Sequence, residues 1–419
     1  MKKLIFGYDD FLALFDFRKC TFAEFEKELS ILNITDTSGT FAVRSHIDDF
    51  LDKVVRKPTD TRKTNLTQYK QNLYRMLVEE PEVSLRFWWK RYGELSNPME
   101  FYLRMEEGSC LNDDTFMGMK NSKYGRVCKN INFESFYNTK KLYGNDSEYT
   151  FGLLKAMYEG FKIRNSLAGP AFYDHILQLD YNKIWLDFMM GANKASVFNP
   201  YTYRSILDEL FEGDTVFAPV MGWNAYQTAF YTSNFKHFVA TDVIPSVVEN
   251  GKLLQVEYEQ SLETDDFSRI FQQDPKTVDL YLCPSEQLDS RHQFVEKYAG
   301  KVDAVLFSPP YYDLEIYDSD EQSISSFPDY QDWLEGYWAE TVRICSEVMR
   351  PGARFGFVIS NYRNHAKQEI SISQDMKAVV DRFLTYRNHY KIRWSSMGGS
   401  RQAHKMRDGN YEDLWIFQK

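Results

Sequence analysis

Ala304-Val305-Leu306-Phe307-Ser308-Pro309-Pro310-Tyr311 is the stretch that decides how this chain folds. Its first four residues are apolar without interruption, the pattern of a short strand buried on both faces. The proline pair ends that strand, because proline cannot donate to a strand ladder and fixes its own φ. A buried strand thus hands a serine, two stiff peptide units and an aromatic ring to one end of a sheet.

The same texture repeats on either side. Thr215-Val216-Phe217-Ala218 reads as an earlier buried strand, running into the turn Pro219-Val220-Met221-Gly222-Trp223-Asn224 and then a helix. Phe238-Val239-Ala240 ends at Thr241-Asp242, Val278 to Leu282 runs into Cys283-Pro284-Ser285, and Phe355 to Ile359 supplies a fifth strand. Amphipathic helices separate them. One opens at Asn199-Pro200, a cap followed by a first-turn proline, and repeats Tyr203, Ile206, Leu207, Leu210 and Phe211 at helical spacing. Another starts near Pro328, carries Tyr330, Trp333, Leu334, Tyr337, Trp338, Cys345 and Val348 on one stripe, and stops at Pro351-Gly352. This alternation predicts an α/β domain with a doubly wound, mostly parallel sheet. Tyr390 to Trp394 and Asp413 to Phe417 predict an antiparallel pair at its C-terminal edge. Residues 1–195 read instead as helical pieces with aromatic-rich connections. The expected division is therefore a mainly helical domain over 1–195 and the sheet domain over 196–419.

Composition narrows the function classes. The chain has 419 residues, 43% hydrophobic and 26% charged, with no tract of the kind that stays disordered. Its five cysteines (Cys20, Cys110, Cys128, Cys283, Cys345) form no CxxC pair, and its seven histidines are dispersed, so neither a disulfide framework nor a metal site is expected. The first residues lack the pattern of a signal peptide and no long apolar window suggests a membrane span, which together predict a cytoplasmic, soluble protein. A net charge of -10 means that any polyanion would have to be gripped by a local patch.

Ser308-Pro309-Pro310-Tyr311, directly after a buried strand, resembles the catalytic motif of S-adenosylmethionine-dependent amino-methyltransferases that modify exocyclic amines of bases in DNA. Their motif is Asp, Asn or Ser followed by Pro-Pro and an aromatic. The resemblance runs from Phe198 to about Ile359, and more loosely to Phe417. It implies a Rossmann-like methyltransferase sheet with an antiparallel C-terminal strand, S-adenosylmethionine as cofactor, and DNA as partner, with RNA or a protein glutamine amide as alternative substrates of the same site logic. The chemistry of the motif stands without the family. An aromatic amine is a poor nucleophile until hydrogen-bond acceptors draw its nitrogen toward tetrahedral geometry; Ser308 Oγ and the Pro309 carbonyl are the two acceptors. Pro309 and Pro310 hold that carbonyl rigidly, and Tyr311 is placed to stack on a base flipped out of its duplex. The structural alternative is a merely rigid surface turn.

The resemblance assigns the turn after the first strand to the methionine part of the cofactor and Asp242 to its ribose. Gly222 of the family's turn is kept, with Pro219 and Met221 around it, but Ala218 stands in place of an acidic residue and Asn224 in place of the last glycine. Ala218 cannot bind an ammonium group through its side chain, so either another residue such as Asn199 or Asp214 does so, or the cofactor is bound weakly, is different or is absent. Asn224 can hold the left-handed conformation that glycine often supplies. Asp242, the better-preserved half of the site, has a helix cap as its alternative reading, Ser285 and Glu286 read as adenine contacts or ordinary loop residues, and Phe198 and Asn199 as methionine contacts or a simple helix entry. For a nucleic acid, the segment from Arg382 to Arg407 carries Arg382, Arg387, Lys391, Arg393, Arg401, Lys405 and Arg407 with no acidic residue, interleaved with Tyr386, Tyr390 and Trp394. A solvated edge hairpin is the bland alternative. Lys120, Lys123, Arg126, Lys129, Lys140 and Lys141, with Tyr124, Phe133 and Tyr137, mark the N-terminal region as a candidate recognition domain, whereas Phe87 to Tyr92 reads better as helix core than as a stacking platform. The expectation is a site-specific DNA methyltransferase acting on cytosine N4 or adenine N6. The rivals are a non-catalytic DNA-binding or scaffold protein on the same fold, and a base-modifying enzyme with another donor.

Overall fold

The computed structural model describes residues 4–31, 66–95, 109–117, 123–141, 149–163, 167, 170–191, 195–263, 276–364, 368–393 and 411–419. It divides into two compact units. Met1–Ile5, Leu95–Leu142 and Ala195–Lys419 form one, and Phe6–Glu94 with Tyr143–Lys194 form the other. Residues 95–142, read from sequence with the N-terminal part, group with the sheet.

The strands of the first unit are β1 (Leu111–Asn112), β2 (Thr115–Met117), β3 (Lys140–Lys141), β4 (Thr215–Ala218), β5 (His237–Asp242), β6 (Thr277–Leu282), β7 (Val302–Phe307), β8 (Glu315–Ile316), β9 (Met349–Ile359), β10 (Tyr362–Arg363), β11 (Glu369–Ile370), β12 (Thr385–Arg393) and β13 (Tyr411–Gln418). Nine of them make one sheet in the order β1-β2-β12-β13-β9-β7-β4-β5-β6. β6, β5, β4, β7 and β9 run parallel, β13 enters antiparallel to β9, and β12 pairs antiparallel with β13. The chain winds outward from β4 in both directions, so the switch point of the sheet lies between β4 and β7. This is the predicted α/β class. The uninterrupted apolar runs are the central strands for the expected reason: both faces are covered, and Val216, Ala218, Val305 and Leu306 are fully buried.

Two local features differ from the sequence reading. Pro351-Gly352, expected to precede the fifth strand, lies within β9, where the partner shifts from Met349 opposite Val302 to Arg354 opposite Ala304, and Gly352 takes a φ of +84°. The bulge absorbs the missing proline donor. The helix after Pro328 is also irregular: Tyr330–Asp332 and Glu340–Val348 flank a π-helical turn, Trp333–Ala339. Gly336 in that turn lies so close to Phe327 that a Cβ would sit 2.2 Å from its ring. The short β1–β2 hairpin, with β2 parallel to β12, had no counterpart in the sequence reading.

Among its described residues the second unit is helical, with Tyr8–Leu12, Phe22–Ile31, Leu66–Tyr74, Pro81–Tyr92, Thr150–Tyr158, Pro170–Leu177 and Tyr181–Gly191 as its α-helices. Phe11 stacks on Trp88 at 5.4 Å and on Trp89 at 4.9 Å, and all three are buried. Of the Phe87 to Tyr92 stretch, Trp88 and Trp89 are helix core as expected, whereas Phe87 is 37% exposed and Tyr92 half-buried.

Candidate active site

All five parallel strands end at one edge of the sheet, and β13 begins there. That edge therefore collects the turn after β4, Asp242, Ser285, Ser308, the residues after Ile359, and Glu412. It is the edge at which open α/β sheets bind their ligands.

The turn after β4 makes a tight left-handed bend. Gly222, Trp223 and Asn224 have φ of +54°, +61° and +63° in succession. Glycine is required at 222, because a Cβ there would lie 2.6 Å from Cζ of Tyr226. Tyr226, in the helix Ala225–Tyr231 that follows, stacks on Tyr203 at 4.4 Å and meets Phe198 edge-on at 6.2 Å. Its hydroxyl accepts the Ser308 N–H at 3.0 Å, and burial pushes the phenol well above its usual pKa, so it stays neutral. Tyr203 OH donates to the Leu306 carbonyl at 2.7 Å. One aromatic pair thus braces the glycine turn against the end of β7.

Asn224 is fully buried, and its side chain is taken up by the scaffold: Nδ2 donates to the Val247 carbonyl at 3.0 Å while Oδ1 accepts from Asn132 at 2.9 Å. The asparagine therefore keeps a glycine-like backbone without filling the turn. Ala218 is buried and offers no acceptor through its side chain. Of its suggested substitutes, Asp214 precedes β4, at the opposite edge, where it pairs with Lys236 at 3.4 Å. It cannot serve a ligand at the carboxyl edge. Asn199 caps the helix Pro200–Leu210 by accepting the Tyr201 N–H at 2.9 Å.

Asp242 combines its two readings. Oδ1 accepts the Ile244 N–H at 3.0 Å at the entry to the next helix, and Oδ2 accepts the Met221 N–H at 3.2 Å from the glycine turn. Burial raises its pKa to about 6 against the pull of backbone donors Ile244, Met221 and Val243. Past β6, Ser285 Oγ is bonded to Thr341 Oγ1 at 2.9 Å. Its neighbour Glu286 is 8% exposed, its Oε1 has no partner among the described residues, and burial raises its pKa to about 7.

At the turn after β7, Pro309 is buried and Ser308, Pro310 and Tyr311 are half-buried. No group among the described residues bonds Ser308 Oγ, so it remains an acceptor at the surface of the edge. Tyr311 is anchored by its hydroxyl, which shares a bond with Ser360 Oγ at 2.9 Å, accepts the Ser360 N–H at 3.2 Å and donates to Glu412 Oε1 at 3.4 Å. Tyr362 packs edge-on against it at 5.6 Å and bonds Asp313. Farther along, Ser319 Oγ donates to the Val243 carbonyl at 2.8 Å, and β8 pairs with β3. Sequence reading missed Tyr226, Ser360 and Glu412, which are separated from their motif partners by 82, 49 and 101 positions.

The described basic residues of this segment do not form one patch. Arg382 pairs with Glu335 at 2.8 Å, and Arg387 donates to Gln418 at 2.8 Å near the start of β12, at the edge opposite Ser308. Lys391 and Arg393 lie at the far end of β12, exposed on the face opposite buried Ile392, with Lys391 Nζ 5.5 Å over the Tyr411 ring. Trp394, Arg401, Lys405 and Arg407 lie outside the described residues, as does Lys120. Tyr124, Phe133 and Tyr137 are each 2% exposed and so present no face for stacking.

The strand order and orientations are those of a Rossmann-like methyltransferase sheet. No family model matches the chain, and no curated protein matches it in sequence. Solved structures match parts of it. TrmN from Thermus thermophilus is 12% identical over 52% of this chain and 48% of its own, with a TM-score of 0.31. A second Thermus thermophilus protein, provisionally named a DNA modification methylase, is 15% identical over 31% of this chain and 50% of its own, at 0.24. The N-methyltransferase NodS from Bradyrhizobium japonicum, solved with S-adenosylhomocysteine, is 10% identical over 49% of this chain and 78% of its own, at 0.29. The chain spans about half the length of the first two.

Proposed function

We propose that this chain transfers a methyl group from S-adenosylmethionine to an exocyclic amine of a base in DNA, N4 of cytosine or N6 of adenine, after the base has left its duplex stack. The observation that carries the reading is Ser308-Pro309-Pro310-Tyr311 at the carboxyl end of β7, with the Ser308 amide held by the tyrosine that packs on Gly222. The site residues fit the cofactor at two of its parts. Asp242 uses one acceptor position on each oxygen for Ile244 and Met221 and keeps further lone pairs for ribose hydroxyls. Glu286 Oε1, buried and unpartnered among the described residues, suits a donor on the adenine edge. When bound, S-adenosylmethionine supplies the electrophilic methyl group. The chain's own part is to bind and orient. Ser308 Oγ and the Pro309 carbonyl accept from the amine and expose its lone pair, Pro310 fixes the turn, and Tyr311, anchored through Ser360 and Glu412, offers its ring to the base. Phe198, Pro219, Met221 and Gly222 shape the floor under the methionine part. Lys391 and Arg393, with Arg401 and Lys405 in the connection that follows, are the candidate phosphate contacts, and the helical unit is the candidate target-recognition module.

Calorimetric titration with S-adenosylmethionine tests this reading. Binding that Asp242→Ala weakens and Ser308→Ala leaves intact supports it, and methylated bases are then sought in DNA incubated with the chain. No heat and no competition at millimolar ligand would remove it in favour of a binding-only role or another donor.

A further inference from the structure

The turn after β4 is held from beneath by asparagines. Trp223 and Asn224 are successive left-handed residues, neither of them glycine, and such backbone persists only where its surroundings over-determine it. Here the surroundings are amides. Asn132 lies between the helices Lys123–Ile131 and Phe133–Asn138. Its Nδ2 group lies 3.1 Å from the Trp223 carbonyl, 2.9 Å from Asn224 Oδ1 and 3.0 Å from the Cys128 carbonyl, its two N–H donors shared among the three acceptors. Its Oδ1 accepts from Asn250 Nδ2 at 3.1 Å, and Asn250 also donates to the Ile131 carbonyl at 2.7 Å. Asn132, Asn224 and Asn250 are 2%, 0% and 5% exposed, so water cannot substitute for these bonds at no cost. The Trp223 ring meets Phe136 edge-on at 5.3 Å, from the same helical pair.

We propose that Asn132 is a positioning residue for S-adenosylmethionine: through the Trp223 carbonyl and the Asn224 side chain it fixes the left-handed turn before the cofactor arrives. The proposal rests on the reading of that turn as the cofactor site. It accounts for asparagine standing where the resembling family has glycine, because Asn224 supplies the acceptor that joins the turn to Asn132. It also makes residues 123–138 part of the cofactor site rather than of target recognition. A turn set in advance loses less freedom when ligand binds.

The test is calorimetric titration of the full chain with S-adenosylhomocysteine, comparing wild type, Asn132→Ala and the double variant Asn132→Ala/Asn224→Gly, with thermal unfolding of each. Asn132→Ala is expected to weaken affinity about tenfold or more through lost preorganisation. The double variant is expected to recover most of that loss, since glycine takes the left-handed conformation without amide support. A residue that only stabilises the fold would show no such rescue, because the double variant loses more of the network. Should Asn132→Ala not fold, Asn250→Ala replaces it, with a smaller loss expected and the same rescue. Unchanged affinity in a folded single variant, or a double variant no better than the single, overturns the proposal. A wild-type chain that takes up no ligand instead overturns the cofactor reading, and the proposal with it.

Discussion

The turn after β4 and the turn after β7 sit on neighbouring strands of one sheet edge, and they carry their chemistry differently. In the proposed function the β7 turn works through side chains and a proline-held carbonyl, so its residue types are tied to the reaction and stand out in the sequence. The β4 turn works through backbone. What it needs is a left-handed bend and a close approach at Gly222, and Asn224 meets the first need with a buried amide in place of an absent side chain. A motif written in backbone conformation can therefore lose letters without losing its shape, whereas a motif written in functional groups cannot.

That contrast is sharpest at Ser308. Ser308→Ala removes an acceptor with no other described partner and leaves the amide bond to Tyr226 in place. Methyl transfer is expected to fall on the order of 100-fold or more, with cofactor affinity unchanged. A single-turnover assay beside a titration checks this. An equal loss of affinity would break the distinction between the two turns.

Asp242 comes next, as the side chain proposed to hold the ribose beside the backbone turn. Asp242→Asn should weaken S-adenosylmethionine binding roughly tenfold or more, the worth of charge-assisted bonds to ribose. Its pKa, raised by burial from 3.8 to about 6, gives a second signature. In the proposed function binding needs the carboxylate, so affinity should fall as pH drops through about 6, and the asparagine variant should lose that dependence. Stability of the free protein should move the other way. The protonated form is favoured in the fold, so this group's contribution is present below pH 3.8 and is lost as pH rises through about 6. Titrations and unfolding curves between those limits separate the two effects.

Gly222→Ala tests the backbone side directly. The new Cβ would be 2.6 Å from Tyr226 Cζ at a φ of +54°, so the turn must shift. A cost of about 1–3 kcal/mol in stability is expected, together with about tenfold weaker cofactor binding, read by denaturant unfolding and calorimetry. An unaffected alanine variant would mean that the turn is not built to the tolerance its packing suggests.

The same distinction explains what the sequence made legible. Five parallel strands could be read because the central ones are uninterrupted apolar runs and the edge strand Thr277–Leu282 is broken only at Asp279, and Ser308 to Tyr311 could be read because the turn residues are chemically unusual in that place. The β1–β2 hairpin could not, since two- and three-residue strands carry no periodicity. Nor could Asn132, Tyr226 or Glu412: each acts through a partner distant in sequence, and a lone Asn, Tyr or Glu has no local signature. The π-helical turn at Trp333–Ala339 is hidden for a related reason, because the packing of Phe327 on Gly336 is tertiary. The basic segment misled in the opposite direction. Its described residues are close in sequence, and an extended strand sends Arg387 and Arg393 to opposite ends of the sheet.

The smallest expected effect follows from that separation. Arg387 and Arg393 are both exposed on β12, six positions apart, which at about 3.3 Å per residue is roughly 20 Å along the strand. Arg393 lies at the carboxyl edge beside Tyr411, while Arg387 is tied to Gln418 at the other end. DNA threaded past Ser308 would meet the first and not the second. Arg393→Ala should weaken DNA binding a few-fold and reduce the slope of log affinity against log salt by about 0.9, the share of one phosphate contact. Arg387→Ala should change neither. Equal losses from both variants would mean that DNA runs along the length of β12 rather than across its end, and the base would then have to reach Tyr311 from a different side.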